Sequence, residues 1–258
     1  MWLRKMNSTF IASVSAACIF SGALIGLGLQ RLLPVHHLSK ETQDVVKLSA
    51  GTIATLTALV LGLLVSSAKS SFDTMNNGIV QSSAKIILLD RALARYGPET
   101  KLAREQLKRN VAGIIEIVWP NEKTGASALN AVESANGVEL VQERLAELTP
   151  KSDVQRHVLA QAQQILADIS QTRWLLIEQE QSPLPFPLLL ILVFWLTLLF
   201  ISFGLFAPSN ITALAVLFLG ACAVSASIFL VLELDRPLEG IIKASDIPLR
   251  NALRHLNQ

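Results

Sequence analysis

The sequence predicts an all-α, polytopic membrane protein: four transmembrane helices, with a cytoplasmic helical domain inserted between helices two and three. Three observations carry that prediction. From Gln181 to Leu232 there is no Asp, Glu, Lys or Arg, and two long apolar runs lie inside that stretch. Two further apolar runs stand near the start, at Phe10 to Leu29 and Leu48 to Ala68. Between these pairs, the Lys69 to Glu180 region is polar, and its apolar residues recur at helical spacing.

A span needs about 20 apolar residues to cross roughly 30 Å of hydrocarbon. Lipid offers no partners to backbone N–H and C=O groups, so these runs must be helices. The first span, about residues 9–29, follows the basic Arg4 and Lys5. A basic start before an apolar run also describes a signal peptide, and Ser15-Ala16-Ala17-Cys18 faintly resembles a lipoprotein cleavage box. Apolar sequence continues past Cys18, which favours a retained helix. Gly22 and Gly26 form a GxxxG spacing that lets another helix approach closely.

A polar link with Pro34 and His36-His37 leads to the second span, about 48–68. No proline occurs between Pro34 and Pro98, so this helix is expected to start near Asp44 and run on towards Tyr96. Gly97-Pro98 is its predicted stop, and Gly78 weakens its middle. The 69–182 domain carries 13 Lys/Arg and 14 Asp/Glu. Leu107, Val111, Ile114 and Val118 form one apolar stripe; Val158, Ala162, Ile165 and Ile169 form another. Helices are predicted near Glu99–Val118, Val138–Leu148 and Asp153–Glu180, separated by Pro120 and Pro150, with a loose connection over 121–136. Trp119 and Trp174 read as packing residues or interface anchors.

Pro183, Pro185 and Pro187 predict an extended entry into the second hairpin. Its spans are about 188–207 and 211–232, and only Pro208-Ser209-Asn210 joins them, which forces the helices side by side. The organisation is thus a 1–68 hairpin, the 69–182 domain, a 183–232 hairpin and a cytoplasmic 233–258 segment. Asp246 and Pro248 predict the cap and first turn of a terminal helix.

Composition agrees, with 51% hydrophobic and 16% charged residues in 258. Cys18 and Cys222 both sit in apolar runs and read as small packing residues. Four spans put both termini and the polar domain on one side. Arg4, Lys5, Lys69, Lys85, Arg173, Arg236, Lys243, Arg250 and Arg254 lie there near the spans, against Arg31, Lys40 and Lys47 opposite. The positive-inside rule makes the richer side the cytoplasm, where both termini and the polar domain are expected. Acidic and basic residues alternate in the polar domain, which disfavours a nucleic-acid surface.

Several stretches resemble a family of four-span bacterial membrane proteins called bestrophin-like. They are Gly62-Leu63-Leu64 through Ser71-Phe72-Asp73, Leu88 through Glu99, and Phe194-Trp195 through Phe206-Ala207-Pro208-Ser209-Asn210. The most specific is Leu232-Glu233-Leu234-Asp235-Arg236-Pro237-Leu238-Glu239-Gly240, followed by Pro248-Leu249-Arg250. Many members carry Phe where Leu238 stands. The resemblance implies fold and topology and a bacterial cytoplasmic (inner) membrane as the expected location, and the family name implies distant kinship to bestrophins, oligomeric anion channels gated by calcium.

Against that expectation the residues offer one candidate pore. Thr52, Thr55, Leu59, Gly62, Ser66 and Lys69 recur at steps of three and four and share a helix face that continues to Asp73. Copies of this helix around an axis would present a wettable lining, a Leu59 constriction and Lys69 near the cytoplasmic mouth. Small and hydroxyl residues are equally what membrane helices use for packing. Four helices are too few to enclose a pore, so conduction requires a homo-oligomer; Gly22, Gly26 and Gly220 offer packing surfaces between or within subunits.

Glu233, Asp235 and Glu239 form an acidic group below the fourth span. Calcium takes six to eight oxygens, so this group is a thin calcium candidate; an interfacial end, with Arg236 pairing a neighbour or headgroup, is the plainer reading. No other cofactor is expected. Adjacent His36 and His37 lack metal-ligand spacing, His157 and His255 read as structural or solvated, and no catalytic or nucleotide-binding pattern occurs. The sequence therefore points to a homo-oligomeric, anion-conducting channel in the lipid bilayer rather than an enzyme. The rival is a scaffold or regulator whose cytoplasmic domain docks a protein partner.

Overall fold

The computed structural model describes residues 7–34, 39–119, 137–180, 186–238 and 240–256. It contains eight α-helices among the described residues: α1 (Ser8–Leu32), α2 (Lys40–Tyr96), α3 (Lys101–Val118), α4 (Gly137–Ala146), α5 (Asp153–Glu180), α6 (Phe186–Phe206), α7 (Ile211–Leu234) and α8 (Ile247–His255). No strand occurs among the described residues. The chain is all-helical, as its periodicity predicts. Four helices, α1, α2, α6 and α7, are long and apolar enough to cross a membrane.

Two compact units form. The first takes residues 1–71 and 184–236; the second takes 72–183 and 237–258. The 57-residue helix α2 runs through both.

In the first unit α1 packs on α6 and α7. Its buried positions Ala12, Ser15, Ile19, Gly22, Ala23 and Gly26 follow steps of three and four, so one face is covered. At Phe20 a ring meets Phe218 edge-on, centroids 5.2 Å apart. Ser225 Oγ donates to Ala12 O at 2.5 Å, a bond from α7 to the α1 backbone. Other hydroxyls here instead bond the carbonyl four residues back, such as Ser15 to Ile11 O (2.9 Å) and Thr197 to Val193 O (2.8 Å). That satisfies them without water. Outward positions are apolar: Phe194, Val216, Phe218, Leu219 and Ile211 are exposed. A face of that kind is stable against lipid tails and costly against water. Asn210 caps α7, accepting from Ala213 N at 2.8 Å. Pro187 differs from its expected place in an extended segment. It sits in the first turn of α6, where a missing N–H costs nothing.

The second unit is built on apolar stripes of α2, α3, α4 and α5, with Leu238, Ala244, Leu249, Ala252 and Leu256 in the same core. The buried stripe of α3 is Leu107, Val111, Ile115 and Val118, with Ile115 in place of the expected Ile114. On α5, Leu166 is buried where Ile165 was expected. Both shifts are one residue, within the angular width of a buried face. Helix α2 continues through Gly78, where a β-carbon would lie 2.6 Å from Leu176 Cδ2, so the glycine leaves room for that side chain.

Trp119 packs against this core, and its indole N–H donates to Ala244 O at 3.0 Å. Trp174 is half exposed, with the Arg173 guanidinium carbon 5.5 Å from its ring centroid. Helix α2 starts earlier than Asp44: Ser39 Oγ accepts from Thr42 N at 3.3 Å. Asp246 precedes α8 as expected, but its carboxylate takes Arg250 and does not cap a backbone N–H. The expectations for Arg4, Lys5, His36-His37, Pro120, the 121–136 connection, Pro183 and Pro185 lie outside the described residues.

Candidate pore face and its surroundings

Helix α2 has a buried face and an opposite exposed face. Ala50, Thr57, Leu64 and Ala68 are buried at steps of seven or four. Thr52, Thr55, Leu59, Gly62, Ser66 and Lys69 are all exposed. Leu59 is 61% exposed, and a β-carbon added at Gly62 would meet nothing within 4 Å. This face is therefore not consumed by packing within the chain. Thr52 donates to Leu48 O at 3.2 Å and Thr55 to Gly51 O at 2.9 Å. Each hydroxyl still has lone pairs to offer outward. Lys69 is exposed and engages a partner, as does Asp73.

The glycines of α1 behave differently. A β-carbon at Gly22 would lie 2.8 Å from Thr197 O. At Gly26 it would overlap Ile201 O and lie 2.8 Å from Leu205 N. Gly204 answers from α6, where a β-carbon would overlap Ala23 O. These three glycines let two backbones touch inside one chain. Gly220 makes only ordinary contact, 3.5 Å from Phe200.

In the acidic group, Glu233 is buried and Asp235 half-buried, and both have partners, as does Arg236. Glu239 lies outside the described residues. Among the described residues no three His, Cys, Asp or Glu side chains gather closely enough to hold a metal.

Sequence reasoning missed a buried ion pair at the far end of α2. Arg104 Nε and Nη2 donate to Asp90 Oδ1 and Oδ2 at 2.7 and 2.8 Å. Asp90 is 1% exposed. The two-pronged bond raises the Arg104 pKa, so the guanidinium stays charged at any accessible pH. The available signal was Asp90 itself, a charge set between Ile86 and Leu93 on an apolar stripe. Beyond it the chain turns at Gly97, whose φ of 137° suits glycine. Gln155 closes the end of α2, donating to Tyr96 O at 3.1 Å. Thr100 Oγ1 donates to Leu93 O at 2.6 Å. A cavity of about 430 Å³ opens here, lined by Ala94, Gly97, Pro98, Thr100, Lys101, Arg104 and Glu105.

A family model described as Bestrophin-like domain matches residues 17–249. No curated protein sequence matches the chain. Among solved structures, the chain is similar to a variant of a bacterial bestrophin homologue from Klebsiella pneumoniae: TM-score 0.63 at 14% identity, covering 92% of this chain and 97% of that one. A second variant of that homologue gives a TM-score of 0.66 at 12% identity, over 95% and 97%. A crystal structure described as a membrane protein gives 0.67 at 12%, over 96% of each chain. At these identities the likeness is one of fold.

Proposed function

The chain belongs to the Bestrophin-like family, and on that premise we propose that it is a homo-oligomeric, anion-conducting membrane channel lined by α2. The observation that carries this reading is the exposed Thr52, Thr55, Leu59, Gly62, Ser66 and Lys69 face. This face of hydroxyl and small residues is left open by its own chain. It suits a shared axis, where Leu59 forms a narrow apolar ring and the threonine and serine oxygens replace part of an ion's hydration. Carbonyl-bonded hydroxyls present acceptors and rotate their single proton at little cost, so the lining remains adaptable.

In this arrangement the termini and the second unit face the cytoplasm, as the distribution of Lys and Arg supports. Calcium enters as a ligand of the Glu233, Asp235 and Glu239 region, to be tested by its effect on current.

The test is conduction by the full chain in planar bilayers, after its native mass in detergent has been measured. The expected result is a ring-sized oligomer with anion currents that change when Thr55→Trp or Leu59→Thr is introduced. A monomer, or silence across voltage, pH and calcium, removes the channel reading and leaves a scaffold that docks a protein partner. Currents indifferent to both substitutions remove α2 from the pore.

A further inference from the structure

The cavity of about 430 Å³ where α2 turns into α3 lies wholly within the second unit. Its volume falls within the range of small-molecule sites, about 300–1,000 Å³. Ala94, Gly97 and Pro98 line it from the end of α2 and the turn that follows, and Lys101, Arg104 and Glu105 from α3. Steps of three and four place those last three residues on one side of their helix.

Several of these groups have hydrogen-bonding capacity that the fold leaves unused. Arg104 commits Nε and one N–H of Nη2 to Asp90, and no described residue takes its three remaining donors. Lys101 and Glu105 form no ion pair among the described residues, either with each other or elsewhere. Ala94 adds an acceptor: the usual helical donor to its carbonyl would be the N–H of residue 98, and proline has none. Thr100 is by contrast already committed, its hydroxyl reaching Leu93 O at 2.6 Å and Gly97 O at 2.8 Å.

The charges of the lining balance. Asp90 offsets Arg104, which leaves one cation at Lys101 and one carboxylate at Glu105. A simple anion would meet Glu105 and a simple cation would meet Lys101. A molecule carrying both signs is complementary to the whole lining. Four residues, about 6 Å of helix rise, separate Lys101 from Glu105. That spacing leaves room for two opposite charges borne on a single carbon.

We propose that this cavity binds a neutral α-amino acid in its zwitterionic form. Lys101 and the remaining Arg104 donors take the carboxylate, Glu105 and the Ala94 carbonyl take the ammonium, and Ala94 and Pro98 offer apolar surface to a small side chain. The site is independent of the channel reading above, and it stands or falls separately.

The test is isothermal titration of the detergent-solubilised full chain with glycine, L-alanine and L-glutamine, each beside sodium acetate and methylammonium chloride. At least one amino acid is expected to bind saturably, at least tenfold more tightly than acetate or methylammonium. K101M and E105Q are each expected to weaken it about tenfold, the usual worth of one charge-assisted hydrogen bond. Both positions lie outside the buried core, and unchanged unfolding temperatures establish that the variants fold. Absence of saturable binding by all three amino acids overturns the proposal. Acetate binding as tightly as the amino acids, or an affinity unchanged in both K101M and E105Q, overturns it equally.

Discussion

Alanine at Gly26 and alanine at Gly28 are the same chemical change, two residues apart on α1, yet opposite outcomes are expected. At Gly26 the new methyl would overlap Ile201 O and sit 2.8 Å from Leu205 N and 3.0 Å from the Gly204 carbonyl carbon. All three are backbone atoms of α6 and cannot rotate away. Ordinary contact needs about 3.5–4.0 Å, so the helices must part by roughly 1 Å along this seam. Overpacking of this kind costs about 1–3 kcal/mol. Replacing glycine inside a helix recovers about 1 kcal/mol of backbone preference, which leaves G26A destabilised by up to about 2 kcal/mol. At Gly28 nothing lies within 4 Å of the new methyl. Only the propensity gain remains, and G28A is expected to be more stable by about 0.5–1 kcal/mol. The assay is the half-life of the detergent-solubilised protein at one fixed elevated temperature. If the full 2 kcal/mol falls on the unfolding barrier, G26A shortens the half-life by about thirtyfold, while G28A lengthens it. A G26A protein as long-lived as wild type would refute the close seam between α1 and α6.

Two further predictions concern the second unit. R104A removes both prongs from the buried Asp90 carboxylate and is expected to cost about 3 kcal/mol; R104K keeps the charge but not the fork and recovers only part, read as unfolding temperature of the full chain. Gly97→Ala places a side chain at a φ of 137°, with its β-carbon 2.6 Å from Glu99 Oε2, and is expected to cost about 1–3 kcal/mol. Faster hydrogen exchange at the C-terminal turn of α2 and the N-terminal turn of α3, with the α1 and α7 amides unaffected, is the matching signature.

What was legible in the sequence follows from what each structural requirement depends on. A membrane span is a demand on length and composition, so the apolar runs were plain. The stripes of α3 and α5 were legible to within one residue, because Ile114 and Ile115, or Ile165 and Leu166, are equally apolar and only tertiary contact chooses between them. Gly22 and Gly26 announced a close approach without naming its partner, which depends on where α6 brings Gly204. The Asp90–Arg104 pair joins residues on different helices, and no local pattern encodes their meeting. For the α2 face, spacing grouped the residues, and the structure adds that the group stands open rather than packed.

The glycine seam also bears on how the protein is made. Phe206, where α6 ends, comes 174 residues after Leu32, where α1 ends. At about 5–20 residues per second, a ribosome needs roughly 10 to 35 s to cover that interval. Throughout it, the nascent first helix carries a notch shaped for a backbone that has not yet been synthesised. Any membrane-embedded chaperone or protease that recognises small-residue notches has at least that window in which to act. A chain cut short before α6 never closes it.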